Sequence, residues 1–520
     1  MTSLLRCWTQ NKTTPIYQDI KHDEAIRILL LSCQILKLPV GIIFSANRPL
    51  EAIMSQTFLD RTLDNLRGAW RELRDSSVVR SLGRDENQSR QEHWRRQIAD
   101  CLAGRGGAVS ARGRAASLGH DFLRLDDDGK RAFLHLLVNE FGIDRDRVAA
   151  IMTDWDTADD LAERALLESE LRDALVPPFR SILKEFNSLP QGVKFLVDLR
   201  GDLLRWRKEA PGLAMLERDL KTLLAGWFDI GFLELERITW NSPASLLEKL
   251  IAYEAVHAIQ SWDDLKRRLA PDRRCFAFFH PGMPDEPLIF VEVALVSGIA
   301  GNIDKLIQRD DDDEGHNGGD TGSVERADTA IFYSISNAQA GLAGISFGDF
   351  LIKRVVSQLQ RDLPHLKQFC TLSPIPGLRT WMDRQLDAMA KGAETGLPKV
   401  IEAALNDCDE LMGPKPPARS PDAVGERTKT NIEFLTAWYL LNAKRPETGS
   451  AFDPVAHFHL SNGARVERLN WNGNGKPDGW AQSFGMMVNY LYHLPMIEKN
   501  HESYVGQGEI AVSSSVKRLL

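Results

Sequence analysis

The sequence has few cysteines, and none of them is spaced like a metal ligand or a redox pair. Its six cysteines are scattered along 520 residues without a C-x-x-C pair. Zinc knuckles and disulfide scaffolds need closely paired cysteines, so neither kind of site organises this chain. We therefore predict no bound metal and a reducing, cytoplasmic location.

Long apolar runs and a net positive charge are also missing. The longest apolar stretch, residues 26–44, is interrupted by Arg27, Lys37 and Pro39, whereas a membrane helix needs about 18 uninterrupted apolar residues. Residues 18–24 before it are polar and acidic, unlike the basic start of a signal peptide. The 64 Lys and Arg against 72 Asp and Glu give a formal charge of −8, which argues against nucleic acid or a membrane as the main partner.

The length of the chain predicts two domains behind a short extension. At 520 residues it is about three times as long as an average domain. Residues 1–53 mix polar stretches with one apolar run, and we predict a disordered extension, with translation beginning near Met54. The alternative is a short element that packs on the following domain. Residues 54–211 are predicted to form a helical bundle, and residues 212–520 a mixed α/β domain.

Hydrophobic periodicity supports this division. Leu59, Leu63, Leu66, Trp70 and Leu73 recur every three or four residues, which predicts one face of an amphipathic helix. Helical patterns continue to about residue 270. Apolar runs then predict strands at residues 275–280, 288–295, 329–335, 368–372 and 465–471.

An acidic run interrupts the second predicted domain. Residues 309–315 read RDDDDEG and are followed by small polar residues. Clustered carboxylates can bind a cation, but their spacing is not that of a calcium loop. We therefore predict a disordered connection here.

A glycine-rich loop lies between a predicted strand and a predicted helix. Residues 330–335 form an apolar run, residues 341–348 contain three glycines, and residues 349–366 have the apolar spacing of a helix. Glycines let the backbone approach an anion, and the free amides of a first helical turn point at it. The arrangement suits a pyrophosphate; ordinary turn chemistry is the alternative.

The same loop also matches the G-x-S-x-G motif of serine hydrolases, at residues 344–348. That motif places its serine on a sharp turn directly after a strand. Here residues 336–343 intervene and do not continue the strand. The context therefore argues against Ser346 as a nucleophile.

Two further positions carry groups that could take part in catalysis. Ser373 follows an apolar run and precedes Pro374 and Pro376, which restrict the path of the backbone and fix the hydroxyl at a strand end. A serine that only begins a turn is the alternative. His457 and His459 form H-x-H before a turn, without a third metal ligand at a usual spacing. We predict one buried, hydrogen-bonded histidine near a cleft, suited to proton transfer.

Several long motifs, in a fixed order, resemble one known family. They are residues 279–288 (FHPGMPDEPL), 330–336 (AIFYSIS) with 350–353 (FLIK), 372–377 (LSPIPG) and 454–464 (PVAHFHLSNGA). At these motifs, and from about residue 55 to the C terminus, the chain resembles the malonyl-CoA decarboxylase family. This resemblance implies a multidomain α and α/β fold, in which a helical bundle is followed by a mixed α/β catalytic domain like that of GNAT acyltransferases. It also implies a homo-oligomer, a dimer or tetramer, formed through the helical domain.

The resemblance also implies a reaction and its residues. Malonyl-CoA would be converted to acetyl-CoA and CO2, in fatty-acid or malonate metabolism, through a thioester enolate that a histidine protonates. His459 would donate the proton and Ser373 would act in the same relay, with coenzyme A as part of the substrate and no separate cofactor. The residues that would contact malonyl-CoA are Ala343, Gly344, Ile345, Ser346, Phe347, Gly348, Asp349, Ser373 and His459.

The sequence departs from the acyltransferase motif, which limits the activities that the resemblance implies. The Q-x-x-G-x-G/A motif is only partly met, because the third residue after Gln339 is Leu342, so acetyl transfer to an amine is not supported. Tyr490 and Tyr492 are interpreted as packing residues, with the acyl pocket as the alternative. Two other functions stay open: a thioester hydrolase acting through Ser346, and a non-catalytic acyl-CoA sensor.

Overall fold

The computed structural model describes residues 66–73, 89–103, 107–228, 230–307, 321–345, 351–408, 411 and 424–520. Contacts group Phe58–Leu520 into one compact unit. The predicted extension at residues 1–53 and the acidic run at 309–315 lie outside the described residues. Within the described part, every helix is too short or too polar to cross a bilayer.

The described part of the chain up to Trp227 is mainly helical. Within it, residues 66–73 are helical, and eight further α-helices follow them. Aspartates begin several of them; Asp126, for example, accepts the N–H of Gly129 at 2.8 Å and so satisfies a free amide of the first turn. The buried side of these helices is rich in aromatic residues, including Trp70 and Phe195, whose ring centroids are 4.9 Å apart. The helices are α1 Arg90–Leu102, α2 Gly107–Leu123, α3 Asp127–Glu140, α4 Arg145–Thr157, α5 Leu161–Ala174, α6 Phe179–Asn187, α7 Gly192–Arg205 and α8 Ala214–Trp227.

One mixed sheet organises the rest of the described chain. Its strand order is β1-β2-β3-β4-β5-β8-β6, and β7 pairs with β8 on a branch. Among the described strands, β4 and β5 form the one parallel pair, and the other pairs are antiparallel. The strands are β1 Glu234–Ile238, β2 Arg273–Phe279, β3 Ile289–Val296, β4 Thr329–Asn337, β5 Gln368–Thr371, β6 Ser373–Pro374, β7 Arg465–Asn470 and β8 Met487–Leu491.

Helices also connect these strands. A 3₁₀ turn, Ala340–Leu342, lies two residues after β4 and precedes the helix that begins at Leu351. The helices of this region are α9 Ala244–Tyr253, α10 Trp262–Arg268, α11 Ile303–Ile307, α12 Thr321–Arg326, α13 Leu351–Asp362, α14 Leu378–Ala390, α15 Lys399–Cys408, α16 Glu426–Asn442, α17 Pro454–Ser461, α18 Pro477–Ser483, α19 Ile497–Gln507 and α20 Ser514–Lys517.

The parallel pair separates halfway along β4. Residues Thr329 to Phe332 of β4 pair with β5, but the rest of β4 has no strand partner on that side among the described residues. The register with β3 also shifts there, so that Tyr333 is an extra residue, a β-bulge. Bulges end pairing and redirect side chains, and they occur next to active sites. The separation opens a cleft between β4 and the chain that follows β5.

The predicted order of a helical bundle and a mixed α/β domain is confirmed, and the five predicted strands are present. Helical segments continue to Arg268, close to the predicted residue 270, but β1, which lies inside that stretch, was missed. Strands β6 and β8 were also missed. His457 and His459 lie on α17, which ends at Ser461, and the turn predicted after them is present at residues 462–463. The domain boundary near residue 211 stays a prediction.

Candidate active site

A cavity of about 650 Å³ lies beside the unpaired half of β4. Most of its lining is apolar, and a few polar groups reach it from β4, β6 and α17. Such cavities take ligands that are held by shape and oriented by a small number of polar contacts. The described lining residues are Val256, Ile289, Phe332, Tyr333, Ser334, Ile335, Asn337, Gly344, Ile345, Leu351, Ser373, Pro374, Arg445, Pro454, Val455, His457, Phe458, His459, Ser461 and Asn462.

Ser373 lies at the bottom of this cleft. It begins β6, pairs with Val488 of β8, and is buried. The side chain of Asn489 on β8 donates to the carbonyl oxygen of Thr371 at 2.7 Å and so links β8 to the end of β5. Pro374 then removes one backbone donor and fixes φ. The serine hydroxyl is therefore held at a strand end, as the sequence predicted.

His459 lies on the second turn of α17, whose start is firmly capped. Asp453 is the N-cap residue, and its Oδ1 accepts the N–H groups of Val455 and Ala456 at 2.9 and 3.0 Å. The other carboxylate oxygen accepts the N–H of Gly377 at 3.1 Å. The cap therefore joins α17 to the segment after β6. Strand β6 itself carries Ser373.

The end of α17 is fixed by a glycine. Gly463 has φ +80°, a left-handed conformation that other residues adopt only with strain. A Cβ at this position would lie 2.2 Å from the carbonyl oxygen of Ile497. The chain can therefore turn into β7 here only with glycine, which places α17 against α19.

One row of hydrogen bonds passes through the site. Ser373 Oγ donates to Thr371 Oγ1 at 2.9 Å and lies 3.1 Å from His459 Nε2. A serine hydroxyl has one hydrogen, and because Thr371 receives it, Nε2 of His459 is the protonated nitrogen that donates to Ser373. His459 Nδ1 then accepts from the Tyr492 hydroxyl at 2.8 Å. The row fixes one tautomer of a neutral imidazole.

Burial keeps this imidazole neutral. His459 is 3% exposed, and desolvation lowers its pKa to about 3. Its ring stacks on that of Tyr490 at a centroid distance of 4.6 Å, and Phe458 packs edge-on at 5.1 Å. Burial also raises the pKa of Tyr492 well above its usual value, so this phenol stays protonated and donates.

The predicted coenzyme loop is described in part. Gly344 and Ile345 line the cavity, Ala343 is exposed, and residues 346–349 lie outside the described residues. Gly344 has φ +70°, and Lys221 Nζ lies 3.6 Å from the position that a Cβ on Gly344 would occupy. A glycine backbone, which a ligand can approach closely, and a nearby ammonium group together suit the binding of a phosphate.

Helix α7 supports the turn in front of this loop. Arg200, which is buried, donates from Nη1 to the carbonyl oxygen of Gly341 at 2.5 Å and from Nε to Glu217 at 2.9 Å. A Cβ on Gly341 would lie 1.7 Å from the carbonyl oxygen of Val197, so only glycine permits this approach. The helical part of the chain thus positions the coenzyme loop.

The sequence identified Ser373 and His459, and the structure brings their side chains together. Thr371 was missed, although its T-x-S spacing places both hydroxyls on one face of a strand. Tyr490 packs, as interpreted, and is not among the described lining residues. The packing interpretation was incomplete for Tyr492, whose hydroxyl contacts His459. His457 Nδ1 bonds instead to the Tyr504 hydroxyl at 2.9 Å.

Comparisons with known proteins agree with this geometry. The family profile for the malonyl-CoA decarboxylase C-terminal domain matches residues 231–520, and that for the malonyl-CoA decarboxylase N-terminal domain matches residues 141–228. The mitochondrial malonyl-CoA decarboxylase of Anser anser anser is 38% identical over 432 residues, 78% of this chain and 82% of the relative. That of Rattus norvegicus is 36% identical over 445 residues, 82% of this chain and 85% of the relative.

Solved structures of bacterial relatives are also similar. The crystal structure of malonyl-CoA decarboxylase from Rhodopseudomonas palustris has a TM-score of 0.74 and 40% identity, over 83% of this chain and all (100%) of that chain. The structure from Agrobacterium vitis has a TM-score of 0.70 and 39% identity, over 82% of this chain and 99% of that chain. The chain therefore belongs to the malonyl-CoA decarboxylase family, and as a decarboxylase it is a carboxy-lyase.

Proposed function

We propose that this chain converts malonyl-CoA to acetyl-CoA and CO2 in the cavity that contains Ser373 and His459. The observation that carries the proposal is the contact between Ser373 Oγ and a neutral, buried His459 at 3.1 Å, on the wall of an acyl-sized cavity. A proton donor in this position would lie next to an acyl group bound in the cavity, which supports the proposal. The family name supports the identity of the substrate.

The reaction needs two contributions from the protein. The bond between the α-carbon and the carboxylate carbon breaks, CO2 leaves, and the electron pair moves into the thioester carbonyl to give an enolate. Hydrogen bonds to the enolate oxygen stabilise the charge that develops there. A proton must then be delivered to the α-carbon. Because the thioester carbonyl accepts the electron pair, we predict that the reaction requires no separate cofactor.

His459 is the proton source in this scheme. A thioester α-carbon is a far weaker acid than an imidazole N–H, so a neutral imidazole is acidic enough to protonate the enolate carbon. The Ser373 hydroxyl turns from Thr371 toward the substrate and gives its hydrogen to the α-carbon while it takes the Nε2 proton of His459. Tyr492 stabilises the charge left on the ring by donating to Nδ1. Water returns one proton to the imidazole in each turnover, and the hydroxide that remains carries the negative charge that the substrate carboxylate brought, so the atoms and charges balance.

The coenzyme is held by the described part of the glycine loop and by β4. Gly344 provides close backbone approach, and Lys221 provides a positive charge beside it. The part of β4 beyond Phe332 lines the cavity and pairs with no described strand on that side, so its backbone groups can bond to the amide-containing arm of the coenzyme. The contacts predicted at Ser346, Phe347, Gly348 and Asp349 belong to the same proposal.

Product analysis tests the function. Protein treated with a chelator is incubated with malonyl-CoA; we expect acetyl-CoA and CO2, and a fall in kcat of about 100- to 10,000-fold in His459→Asn and Ser373→Ala. Free CoA, with activity lost in Ser346→Ala, would instead identify the thioester hydrolase. Binding without any turnover would identify the sensor.

We also propose that the helical region mediates self-association. Helix α5 has no buried residue, and Leu161 and Leu166 on it are 82% and 68% exposed. Met152 and Trp155 on the adjacent α4 are exposed as well. Contiguous exposed apolar side chains are typical of interaction surfaces, and a second copy of this chain is the partner that we propose.

Light scattering tests this surface. The double variant Leu161→Lys and Leu166→Lys should lower the molar mass from that of a dimer or tetramer toward the monomer. Val400→Lys, which places the same charge at an exposed valine on α15, should leave the mass unchanged. An unchanged mass in the double variant would contradict the proposal.

The cytoplasmic location and the role in fatty-acid or malonate metabolism stay predictions. The relatives from Anser anser anser and Rattus norvegicus are named mitochondrial. Cell fractionation with an antibody to the protein would decide the location.

A further inference from the structure

One of the described side chains that line the cavity is charged, and the decarboxylation scheme does not use it. Among the described lining residues, Arg445 is the only Arg, Lys, Asp or Glu. Its side chain is partly buried and makes no hydrogen bond or ion pair with any described residue. A partly desolvated charge is costly unless it is paired. The guanidinium is thus available to an anionic ligand of the cavity.

The backbone around Arg445 is rigidly held. The N–H of Arg445 donates to the carbonyl of Ser450 at 2.9 Å, and the N–H of Phe452 donates to the carbonyl of Ala443 at 2.9 Å. These bonds close a turn that leads directly into α17, which carries His459. Arg445 and His459 are therefore presented to the cavity by one continuous, hydrogen-bonded segment. A ligand that contacts both is oriented by fixed groups.

The substrate of the proposed reaction has anionic groups at both ends. One end carries a free carboxylate, and the other carries phosphates. Lys221 lies beside Gly344 of the coenzyme loop, whereas Arg445 lies on the segment next to α17. A guanidinium presents paired N–H donors that match the two oxygens of a carboxylate or a phosphate.

We propose that Arg445 binds an oxyanion of malonyl-CoA, either the free carboxylate or a phosphate. This inference deepens the proposed function and rests on it. Arg445 orients the substrate, and it takes no part in proton transfer. Its loss therefore weakens binding of the ligand that carries the recognised anion, and leaves the relay of Ser373 and His459 in place.

Steady-state kinetics and calorimetry of Arg445→Gln test the proposal. We expect the KM for malonyl-CoA to rise about 10- to 100-fold, the usual effect of removing one charge-assisted contact. Arg427→Gln is the matched control, because Arg427 is exposed and pairs with Asp407 on the surface. Arg445→Lys keeps the charge and should recover part of the affinity.

Two further ligands identify the anion. Acetyl-CoA has the phosphates without the carboxylate, and malonyl-pantetheine has the carboxylate without the phosphates. If Arg445 binds the carboxylate, the variant binds acetyl-CoA normally but has a raised KM for malonyl-pantetheine. If it binds a phosphate, the dissociation constant for acetyl-CoA rises, and the KM for malonyl-pantetheine is unchanged.

The proposal is overturned if all three ligands bind Arg445→Gln within twofold of the wild type, or if kcat alone falls. Should Arg445→Gln fail to fold, the same comparison is made with Arg445→Lys, whose smaller shift must have the same direction. If the wild type releases no CO2, the proposed function fails. Calorimetry of malonyl-CoA and acetyl-CoA with both proteins then still measures the role of Arg445.

Discussion

Two tyrosines near the end of β8 contact the same histidine in different ways. Tyr492 donates its hydroxyl to His459 Nδ1 at 2.8 Å, and so selects the Nε2–H tautomer. Tyr490 stacks its ring on the imidazole, but its buried hydroxyl has no hydrogen-bond partner among the described residues. The hydrogen bond at one ring nitrogen determines which nitrogen carries the proton, so the Tyr492 hydroxyl orients the imidazole, whereas Tyr490 contributes only its ring.

The pair Tyr492→Phe and Tyr490→Phe separates the two roles. Without the donor to Nδ1 the tautomer is no longer fixed, so we expect Tyr492→Phe to lower kcat about 10- to 100-fold with little change in KM. Tyr490→Phe removes an unpaired hydroxyl and should keep kcat while raising the free energy of unfolding slightly. Equal loss of kcat in both variants would contradict the orienting role of Tyr492.

Sequence reasoning identified the proposed catalytic pair, Ser373 and His459, but not the residues that support it. Local sequence marked Ser373, which precedes prolines, and the H-x-H motif as candidates, and the family resemblance singled out Ser373 and His459. Arg445, in contrast, has no local signal, because only the folded turn brings it to the cavity. The position of Tyr492 depends on β8, which the sequence reading did not predict.

At the scale of elements, the missed strands have physical explanations. Strand β1 has the sequence ELERI, which favours a helix by composition, and pairing with β2 overrides this preference. Strand β8 is only five residues long, is buried on both faces and contains Asn489, a residue disfavoured in strands. Its asparagine is explained by the bond to the Thr371 carbonyl, a long-range contact that periodicity cannot indicate.

Helix α7 offers a prediction at this scale, because Arg200 ties it to the coenzyme turn. Arg200→Met leaves the Gly341 carbonyl and Glu217 without their donor, so we expect a loss of about 2 kcal/mol in the free energy of unfolding. Since the turn Ala340–Leu342 is loosened, the KM for malonyl-CoA should rise more than kcat falls. Urea unfolding and steady-state kinetics measure the two effects.

The control lies on the same helix. Arg205 is 57% exposed and pairs with Asp202 on the surface, so Arg205→Met should change the free energy of unfolding by less than about 1 kcal/mol. A purely structural role for Arg200 would lower stability without changing KM. That result would show that Arg200 of α7 does not influence the binding of malonyl-CoA.

At the scale of the whole molecule, buried ionisable groups determine how stability depends on pH. Burial lowers the pKa values of His459 and His257 to about 3, so the unfolded chain binds protons at these sites below about pH 6.5 while the folded chain does not. Each histidine therefore makes the fold less stable as pH falls from 6.5 toward 3. Glu292 acts in the opposite direction, because burial raises its pKa to about 7 and the folded chain takes up its proton first.

His459→Asn isolates one of these contributions. Between pH 7 and pH 5 the wild type should lose about 2 kcal/mol more in its free energy of unfolding than the variant, since one proton over 1.5 pH units corresponds to about this amount. Urea unfolding at both pH values measures the difference, and His365→Asn, at an exposed histidine, controls for the substitution itself. The effects of Glu292 and His257 cancel in the comparison because both proteins contain them. An identical pH dependence in the wild type and His459→Asn would show that the folded imidazole takes up its proton over the same pH range as the unfolded one, which contradicts the lowered pKa of a buried His459.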